Sequence, residues 1–373
     1  MSAPLDRRML HRAGLLACRG FGSVEPNPMV GCIIGRPDGT PLGLGHHRRF
    51  GAAHAEVEAL DHCRVRGHDP RGSTAWVTLE PCTHSGKTPP CARALIDAGI
   101  ARVVIARVDP HPAAAGGIDA LRSAGITVDI IEDESSLATS VSAPFIKRIT
   151  TGLPWVIAKW AQTIDGRIAT RAGESQWITG PAARRHVHAL RGRVDAILTG
   201  IGTVHADDPQ LTCRGVTRRR TARRVVLDPQ LETPRGSRLM QSINDAPVTI
   251  LTGAAAPASA RGALESLGAE VQVLPPNASG LDIAAGLRHL VSAHDLTTVM
   301  TEAGAGVLGR LLSDDLIDEA WVYVGSQIIG DAEAPGAFRG ASRPRLADAS
   351  AFRLLQSRRL GEDMLLRYRR RRD

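Results

Sequence analysis

Residues 78–91 read TLEPCTHSGKTPPC, and residues 54–56 read HAE. The second stretch opens a predicted amphipathic helix. In the first stretch, Cys82 directly follows an apolar run typical of a buried strand, and Cys91 begins another predicted helix. One imidazole, from His54, and two thiolates therefore lie at the ends of regular elements. This donor set predicts a zinc site within an α/β domain.

Three protein ligands leave the fourth tetrahedral position of zinc open, which is typical of catalytic sites. Zinc lowers the pKa of water to about 7, and a neighbouring carboxylate can carry the proton to a leaving amine. His-x-Glu and Pro-Cys are signatures of zinc deaminases, although their second cysteine usually follows after two residues, and here eight residues intervene. The sequence predicts hydrolytic deamination of an aminopyrimidine. The alternatives are a purely structural zinc and ordinary buried cysteines.

Two carboxylates compete for the role of proton carrier. Helix spacing places Glu58 on the same face as His54, because residues four apart are neighbours. Glu56 fits the His-x-Glu signature instead. From helix spacing and the signature alone, the choice stays open.

The composition predicts a globular protein of two domains. The chain has 373 residues, of which 43% are hydrophobic and 23% charged, and this excludes a wholly disordered chain. No apolar run approaches the roughly 20 residues needed to cross a bilayer, and the arginine-containing N-terminus lacks the apolar centre of a signal peptide. The six scattered cysteines argue against a disulfide framework. We expect a cytoplasmic protein with no membrane partner.

The net charge of +8 indicates an anionic partner. Aromatic residues make up only 3%, which disfavours nucleic acid and favours small phosphorylated ligands. The alternative is a nucleic-acid-binding zinc deaminase whose second half binds RNA. Two arginine clusters are expected to be solvated, one on a loop and one in a frayed terminus: Arg218, Arg219, Arg220, Arg223 and Arg224, and Arg367 and Arg369 to Arg372.

Strand-like runs alternate with helical patterns in both halves of the chain. This alternation predicts a three-layer α/β domain, followed by a second and different α/β domain. The polar stretch 132–152 interrupts the rhythm, and we place the boundary near residues 145–153. The predicted domains are residues 1–147 and 153–373.

Residues 304–309 read GAGVLG, a G-x-G-x-x-G pattern between a predicted strand and a helix that we expect over 307–314. Glycine lets the backbone approach a phosphate, and a helix N-terminus supplies unpaired N–H groups. A Rossmann fingerprint normally opens its fold, whereas this pattern lies near the end of the domain. It therefore predicts a dinucleotide-binding loop without a Rossmann fold, with a simple tight turn as the alternative.

Longer stretches of the first half resemble the bifunctional deaminase–reductases of riboflavin biosynthesis. They are PNPMVGC at 26–32, GHH at 45–47 and the two stretches quoted first. In that family the longer spacing between the cysteines is the rule, and Glu-Pro is common where this chain has alanines at 52 and 53. The resemblance implies zinc binding by His54, Cys82 and Cys91, proton transfer by Glu56, and a substrate pocket lined by Asn27, His47, Lys87 and Thr88.

The second half resembles the reductase of the same family, which is similar to dihydrofolate reductase. The matching stretches include 159–167, GESQWIT at 173–179 and DAILTG at 195–200, with a departure at 162–164, where QTI replaces Ala-Ser-Leu. By this resemblance, NADPH contacts Ala161, Trp177, Thr203, Asp207, Gly304, Ala305, Gly306, Val307, Leu308, Gly309 and Arg310. The phosphosugar substrate contacts Ser175, Arg191, Leu211, Arg214 and Glu302.

The resemblance spans about residues 5–365 and implies a complete scheme. A cytidine-deaminase-like α/β/α domain with one zinc deaminates 2,5-diamino-6-ribosylamino-pyrimidinone 5'-phosphate. A dihydrofolate-reductase-like α/β domain then uses NADPH to reduce the ribosyl chain of 5-amino-6-(5-phosphoribosylamino)uracil to ribityl. The family also implies a homodimer or larger homo-oligomer, assembled through the reductase domain.

Overall fold

A computed structural model shows two compact units, Met1–Gly152 and Leu153–Asp373. Within the part of the chain that the structure describes, no helix has both the length and the apolar character needed to span a membrane. The described residues are 3–83, 90–111, 116–278, 280–340 and 343–372.

A five-stranded sheet forms the centre of the first unit. Its strands are β1 (Gly31–Gly35), β2 (Pro41–His46), β3 (Thr74–Val77), β4 (Arg102–Ile105) and β5 (Thr127–Ile130). They lie in the order β2-β1-β3-β4-β5. The strand β1 is antiparallel to both β2 and β3, and β3 to β5 run parallel. Strands β1 and β3 are buried throughout, as expected for continuous apolar runs between two helical layers.

Helices cover both faces of this sheet. The helices described here are α1 (Ala3–Ala17), α2 (Ala55–Val65), α3 (Cys91–Asp97), α4 (Gly117–Ser123), α5 (Leu137–Ser140) and α6 (Ala143–Thr151). One core contains residues of α2, α3 and α4, and a second core, on Ile33 and Trp76, contains residues of α1. The predicted three-layer α/β/α domain is confirmed.

Glycines in β2 allow α2 to lie directly against the sheet. A Cβ atom on Gly43 would come 2.2 Å from the carbonyl oxygen of Ala59, and one on Gly45 would come 2.1 Å from that of Ala55. Such distances are far below van der Waals contact, so only glycine fits at these positions. This close packing fixes the N-terminus of α2, where His54 lies, against the sheet.

The polar stretch 132–152 contains regular structure, although its composition interrupts the strand–helix rhythm. Helices α5 and α6 lie within it. The Ser136 hydroxyl accepts the backbone N–H of Thr139 and so caps α5. Serine is favoured at such N-caps, which is why a serine-rich stretch can begin helices instead of forming a loop.

A nine-stranded sheet forms the centre of the second unit. The strands of this unit are β6 (Trp155–Gln162), β7 (Ala196–Gly200), β8 (Arg223–Leu227), β9 (Val248–Gly253), β10 (Glu270–Leu274), β11 (Pro276–Asn277), β12 (Gly280–Leu281), β13 (Thr298–Thr301), β14 (Glu319–Val324), β15 (Phe352–Leu360) and β16 (Asp363–Arg370). The order in the sheet is β10-β9-β8-β7-β13-β6-β14-β16-β15, and β11 and β12 form a separate pair. The sheet is parallel from β10 to β14, and β16 is antiparallel to both of its neighbours.

The helices described in this unit are α7 (Pro181–Arg191), α8 (Ile201–Asp207), α9 (Arg238–Gln241), α10 (Ala258–Glu265), α11 (Ile283–His294) and α12 (Ala305–Ser313). Residues of α11 and α12 pack with the buried parallel strands in one core. The predicted helix over 307–314 begins two residues earlier, so Gly304 is its N-cap and Gly306 lies in its first turn.

The prediction of a frayed, solvated C-terminus is wrong. Strands β15 and β16 form an antiparallel hairpin that extends the sheet. The buried carboxylate of Glu319 lies 3.2 Å from the Arg367 guanidinium and 2.8 Å from that of Arg369. Arg372 pairs with the buried Asp318 at 2.7 Å. These arginines neutralise acidic groups of a strand end and a neighbouring loop.

The loop cluster of arginines is also only partly solvated. Arg218 and Arg219 are exposed, as expected. Arg224 is fully buried, and its guanidinium donates to carbonyl oxygens that include those of Leu239 and Ser242, both at 2.9 Å. Burial lowers the pKa of Arg224 to about 10. Arg224 therefore organises the buried backbone around α9.

Candidate active sites

The three predicted zinc ligands converge in the first unit. The Nδ1 atom of His54 lies 3.1 Å from the Sγ atom of Cys91 and 3.6 Å from that of Cys82. All three ligand atoms lie within 4.8 Å of one another. Tetrahedral zinc with the usual bond lengths separates nitrogen and sulfur ligands by about 3.6 Å. The donor set thus fits this ion in both chemistry and spacing.

Element ends position these ligands. His54 is the N-cap of α2, with extended backbone angles of φ −75° and ψ 165°, and Cys91 is the first residue of α3. The backbone N–H of Ala92 donates to the carbonyl of Cys82 over 3.2 Å, which ties the two cysteine segments together. Hydrogen bonds from Cys91 and His54 lower the pKa of Cys82 to about 4, despite burial. A thiolate is the form that binds metal.

The two candidate proton carriers, Glu56 and Glu58, have different surroundings in the structure. Glu56 is buried, with 3% of its surface exposed, and burial together with the charge of Cys82 raises its pKa to about 7. Glu58 forms an ion pair with Arg48, with 2.7 Å between Oε2 and Nη2. Glu56 therefore lies among the ligands and can hold or release a proton near neutral pH.

Of the predicted deaminase substrate residues, His47 lies beside His54, and Asn27 lies beside His47. His47 Nδ1 donates to the carbonyl of Ala53 at 3.0 Å, and its Nε2 lies 3.4 Å from the Asn27 amide nitrogen. The rings of His47 and His54 meet edge to face, with centroids 5.4 Å apart. The predicted contacts Lys87 and Thr88 lie outside the described residues.

A cleft of about 1290 Å³ in the second unit brings together most of the residues predicted for NADPH and the phosphosugar. Leu308 and Gly309, also predicted to contact NADPH, do not line it. Leu308 is buried in the core, and a Cβ on Gly309 would lie 1.8 Å from the carbonyl oxygen of Arg339. The positions of these two residues serve packing, and their contact with NADPH stays a prediction. The predicted residues that line the cleft are Ala161, Ser175, Trp177, Arg191, Thr203, Asp207, Leu211, Arg214, Glu302, Gly304, Ala305, Gly306, Val307 and Arg310.

The glycine pattern lies where a phosphate can approach a helix. Gly304 precedes α12, and its N–H donates to the Thr203 hydroxyl over 3.2 Å. The next N–H groups belong to the first turn of α12 and have no partner within the helix. Among the described residues, a Cβ atom on Gly306 would meet the Arg339 guanidinium, at 3.7 Å, and no closer group. The open backbone and the nearby cation fit a dinucleotide diphosphate.

Glu302 also lines the cleft and is held by two cations. Arg191 Nε donates to Glu302 Oε1 at 2.6 Å, and Lys159 Nζ donates to Oε2 at 3.1 Å. Burial alone would raise the pKa of Glu302, but Arg191 and Lys159 hold it well below its usual range. Sequence reasoning did not single out Lys159, although it is the first residue of the matching stretch 159–167.

The segment that carries Arg214 is built with a strained residue. Leu211 is buried and has φ of +54°, a left-handed conformation that costs about 1–2 kcal/mol outside glycine. Such strain is concentrated at functional sites. Arg214 Nη1 donates to Gln210 Oε1 at 2.8 Å and to Thr212 Oγ1 at 2.9 Å, which directs its guanidinium. No sequence pattern indicated this backbone conformation.

A second group of potential metal ligands lies on α11 and β10, where Glu270 meets His289 and His294. Arg223 already donates to Glu270 at 2.8 Å and contacts His294 Nδ1 at 3.3 Å. Because Nδ1 of His294 accepts a hydrogen bond from Arg223, the ring proton of His294 is on Nε2. This Nε2 atom lies 3.1 Å from a carboxylate oxygen of Glu270. The group is therefore a hydrogen-bonded ion network in which no nitrogen lone pair of His294 is available to a metal.

Comparisons with known proteins cover nearly the whole chain. The family model described as RibD C-terminal domain matches residues 154–366, and the cytidine and deoxycytidylate deaminase zinc-binding region matches residues 4–107. The riboflavin biosynthesis protein RibD of Escherichia coli (strain K12) is 38% identical over 97% of this chain and 98% of its own. That of Aquifex aeolicus is 35% identical over 99% of this chain and 100% of its own.

Solved structures agree with these matches. RibD of Acinetobacter baumannii, form 1, superposes with a TM-score of 0.81 at 36% identity and covers 100% of both chains. The diaminohydroxyphosphoribosylaminopyrimidine deaminase/5-amino-6-(5-phosphoribosylamino)uracil reductase of Thermotoga maritima has a TM-score of 0.80 at 32% identity over 99% of both chains. Both units are therefore present in the same order as in these proteins.

Proposed function

Because the chain belongs to the RibD family of bifunctional riboflavin-biosynthesis enzymes, we propose that residues 1–147 carry its zinc-dependent deaminase and residues 153–373 its NADPH-dependent reductase. The enzyme is both a hydrolase and an oxidoreductase. It deaminates 2,5-diamino-6-ribosylamino-pyrimidinone 5'-phosphate and reduces the ribosyl chain of the resulting aminouracil to ribityl. The observation that carries this assignment is the convergence of His54, Cys82 and Cys91 beside buried Glu56.

The deaminase step uses the described residues in distinct roles. His54, Cys82 and Cys91 would hold zinc, which would activate a water molecule for attack on the ring carbon that carries the amino group. Glu56 takes a proton from this water as its oxygen forms a C–O bond to that carbon, and it delivers the proton to the amino group. The C–N bond then breaks, ammonia leaves, and a carbonyl remains. Glu56 is buried and forms a hydrogen bond with Cys91, which keeps its carboxyl group beside the ligands. His47 and Asn27 bind the pyrimidine.

The reductase step requires orientation of two anionic ligands. NADPH would supply a hydride to the anomeric carbon of the ring-opened ribosyl chain, and a proton from solvent would complete the ribityl amine. The N-terminus of α12 and Thr203 would hold the cofactor. Arg191 and Arg214 bind the substrate phosphate, for which a planar guanidinium is well suited. Glu302 keeps Arg191 in position through two hydrogen bonds, at 2.6 and 3.1 Å.

One coupled assay tests this function. The purified enzyme is incubated with the diaminopyrimidine substrate and NADPH, while ammonia release and NADPH oxidation are followed together. We expect ammonia to appear first and NADPH oxidation to depend on it. Ammonia release without NADPH oxidation would contradict the reductase assignment, and an absence of both would contradict the whole proposal.

The alternative of an RNA-binding second half has no support in the comparisons, which match that half to a reductase domain. Small pyrimidine substrates are consistent with the family. An RNA-binding assay over a salt series separates the two interpretations, because a nucleic-acid-binding protein loses affinity steeply with salt. We expect no such dependence here.

We place the enzyme in the cytoplasm and expect it to assemble as a homodimer or larger homo-oligomer through the reductase unit. All six cysteines are free thiols, as in proteins of reducing compartments. In the described part of the chain, β15 pairs with β16 alone and leaves one edge open, with Leu354 half exposed. Light scattering coupled to gel filtration measures the oligomeric state.

A further inference from the structure

His188 lies on α7 three residues before Arg191 and lines the reductase cleft. Residues three apart on a helix are neighbours on one face. Its imidazole contacts the segment 212–214, which carries the second arginine of the proposed phosphate site. Neither a motif nor the family resemblance pointed to this histidine.

The hydrogen bonds around His188 select one tautomer. Its Nδ1 atom lies 3.2 Å from the backbone nitrogen of Arg214 and 3.2 Å from the carbonyl oxygen of Thr212. The Arg214 N–H can only donate, and the Thr212 carbonyl already accepts from Arg191 Nη1 at 3.3 Å. When Nδ1 accepts from Arg214, every group is satisfied, and the ring proton is on Nε2.

The surrounding charges keep this ring neutral. Burial, Arg191 and Arg214 lower the pKa of His188, and the opposing effects of the Thr212 carbonyl and Glu302 are smaller. These effects favour the uncharged form of the imidazole. Its Nε2–H makes no hydrogen bond to the described residues, so it remains a donor for a ligand in the cleft.

We propose that His188 is a further substrate-binding residue of the reductase. Its Nδ1 anchors the Arg214 segment, and its Nε2–H donates to the phosphate group of the substrate. This N–H adds a directional bond to the anionic phosphate oxygens beside the two guanidinium groups. The inference rests on the proposed function, because it requires a phosphomonoester between Arg191 and Arg214.

Two amide substitutions separate the roles of the two ring nitrogens. In His188→Asn the side-chain oxygen replaces Nδ1 as the acceptor for Arg214, and the distal donor is lost. In His188→Gln the amide reaches the position of Nε2, and the proximal acceptor is lost. Asparagine and histidine have similar helix propensities, so the first substitution disturbs α7 little. His188→Leu removes both functions.

The assay uses the full-length enzyme, the deaminated phosphoribosylaminouracil and saturating NADPH. We expect His188→Asn to raise KM for this substrate about tenfold or more with kcat nearly unchanged, because a hydrogen bond to a charged group contributes roughly that factor. His188→Leu should raise KM further and lower kcat as well. Competitive inhibition by inorganic phosphate should become weaker in each variant as KM for the substrate rises. His188→Gln should retain more of this inhibition than His188→Leu, and KM for NADPH should stay constant.

A normal KM and normal phosphate inhibition in His188→Asn would overturn the proposal. An equal rise in KM for NADPH would also overturn it, since that result indicates general damage to the cleft. Circular dichroism and thermal unfolding of each variant identify any loss of structure. If the unaltered enzyme does not reduce this substrate, the proposed function fails independently of His188.

Discussion

Arg48 forms an ion pair with Glu58, with 2.7 Å between Nη2 and Oε2. Two residues earlier in α2, Glu56 is buried beside the proposed zinc ligands, and its pKa is raised to about 7. The ion pair gives Glu58 a structural role and leaves Glu56 as the carboxylate that can exchange protons at the site.

The first prediction concerns Glu56→Gln. Glutamine is nearly isosteric with glutamate and cannot carry the proton, so kcat for ammonia release should fall about 100-fold or more. Zinc content, measured by atomic absorption, should stay near one per chain because Glu56 is not a ligand. Reduction of the deaminated substrate should be unchanged.

Glu58→Gln is the matched control on the same helix. It removes only a partly exposed ion pair, which contributes about 0–1 kcal/mol. Ammonia release should stay within about twofold of normal. If Glu58→Gln abolishes deamination and Glu56→Gln does not, the roles are reversed and the assignment is wrong.

The second prediction concerns Arg214→Ala. Loss of one partner in a charge-assisted contact with phosphate costs on the order of 2–5 kcal/mol, so kcat/KM of the reductase should fall well over tenfold. Deamination should remain near normal. Arg235 is exposed and does not line the cleft, so Arg235→Ala serves as the control. Equal reductase activity in both variants would show that Arg214 does not bind substrate.

The third prediction links Glu302 to stability and pH. Arg191 and Lys159 hold the folded-state pKa of Glu302 below its ordinary value of 4.5. Its stabilising contribution is therefore fully present above about pH 4.5 and is lost as the pH falls toward the lower folded-state value. At neutral pH, Glu302→Gln should reduce the free energy of unfolding by roughly 3–5 kcal/mol, because it leaves buried cations unpaired. Below about pH 4.5, this difference should shrink.

Tryptophan fluorescence during urea unfolding measures the free energy of unfolding of the second structural unit, which contains Glu302. Four of the five tryptophans lie in the second unit, at positions 155, 160, 177 and 321. Glu362→Gln provides the control, since Glu362 is exposed. The free energy of unfolding of Glu302→Gln is compared with that of the unaltered protein over this pH range. If their difference does not change with pH, the carboxylate is not stabilised by these cations.

The convergence of the three candidate zinc ligands could be predicted from sequence because they lie in short stretches at element ends. The choice between Glu56 and Glu58 could not be made from helix spacing. His54 has extended backbone angles at the N-cap, so the rule for residues four apart within a helix does not apply to it. The missing information was the conformation of one residue at the helix boundary.

The arginines of the second unit show a different limit. Arg224 and Arg367 occur in arginine-rich stretches that look solvated when read locally. Their partners lie far away in sequence: Arg367 pairs with Glu319, 48 residues earlier. Long-range contacts of this kind decide whether an arginine is solvated or buried, and composition alone does not contain them.

The fourth prediction concerns the separability of the two activities. All described zinc ligands and Glu56 belong to Met1–Gly152, whereas the residues that line the reductase cleft belong to Leu153–Asp373. Hydride transfer from NADPH needs no metal. A chelator should therefore abolish ammonia release and leave NADPH oxidation with the deaminated substrate within about twofold of normal.

Readdition of zinc is the internal control and should restore ammonia release, because the ligands remain intact. A fragment that begins at Leu153 extends the test, since it lacks every proposed ligand and retains the whole cleft. If it folds by circular dichroism, it should reduce the deaminated substrate with a similar KM. Domain docking could stabilise either unit, so folding has to be measured beside activity. A folded, zinc-free enzyme that no longer reduces the deaminated substrate would contradict the division into two independent sites, because none of the residues that line the reductase cleft is a proposed zinc ligand.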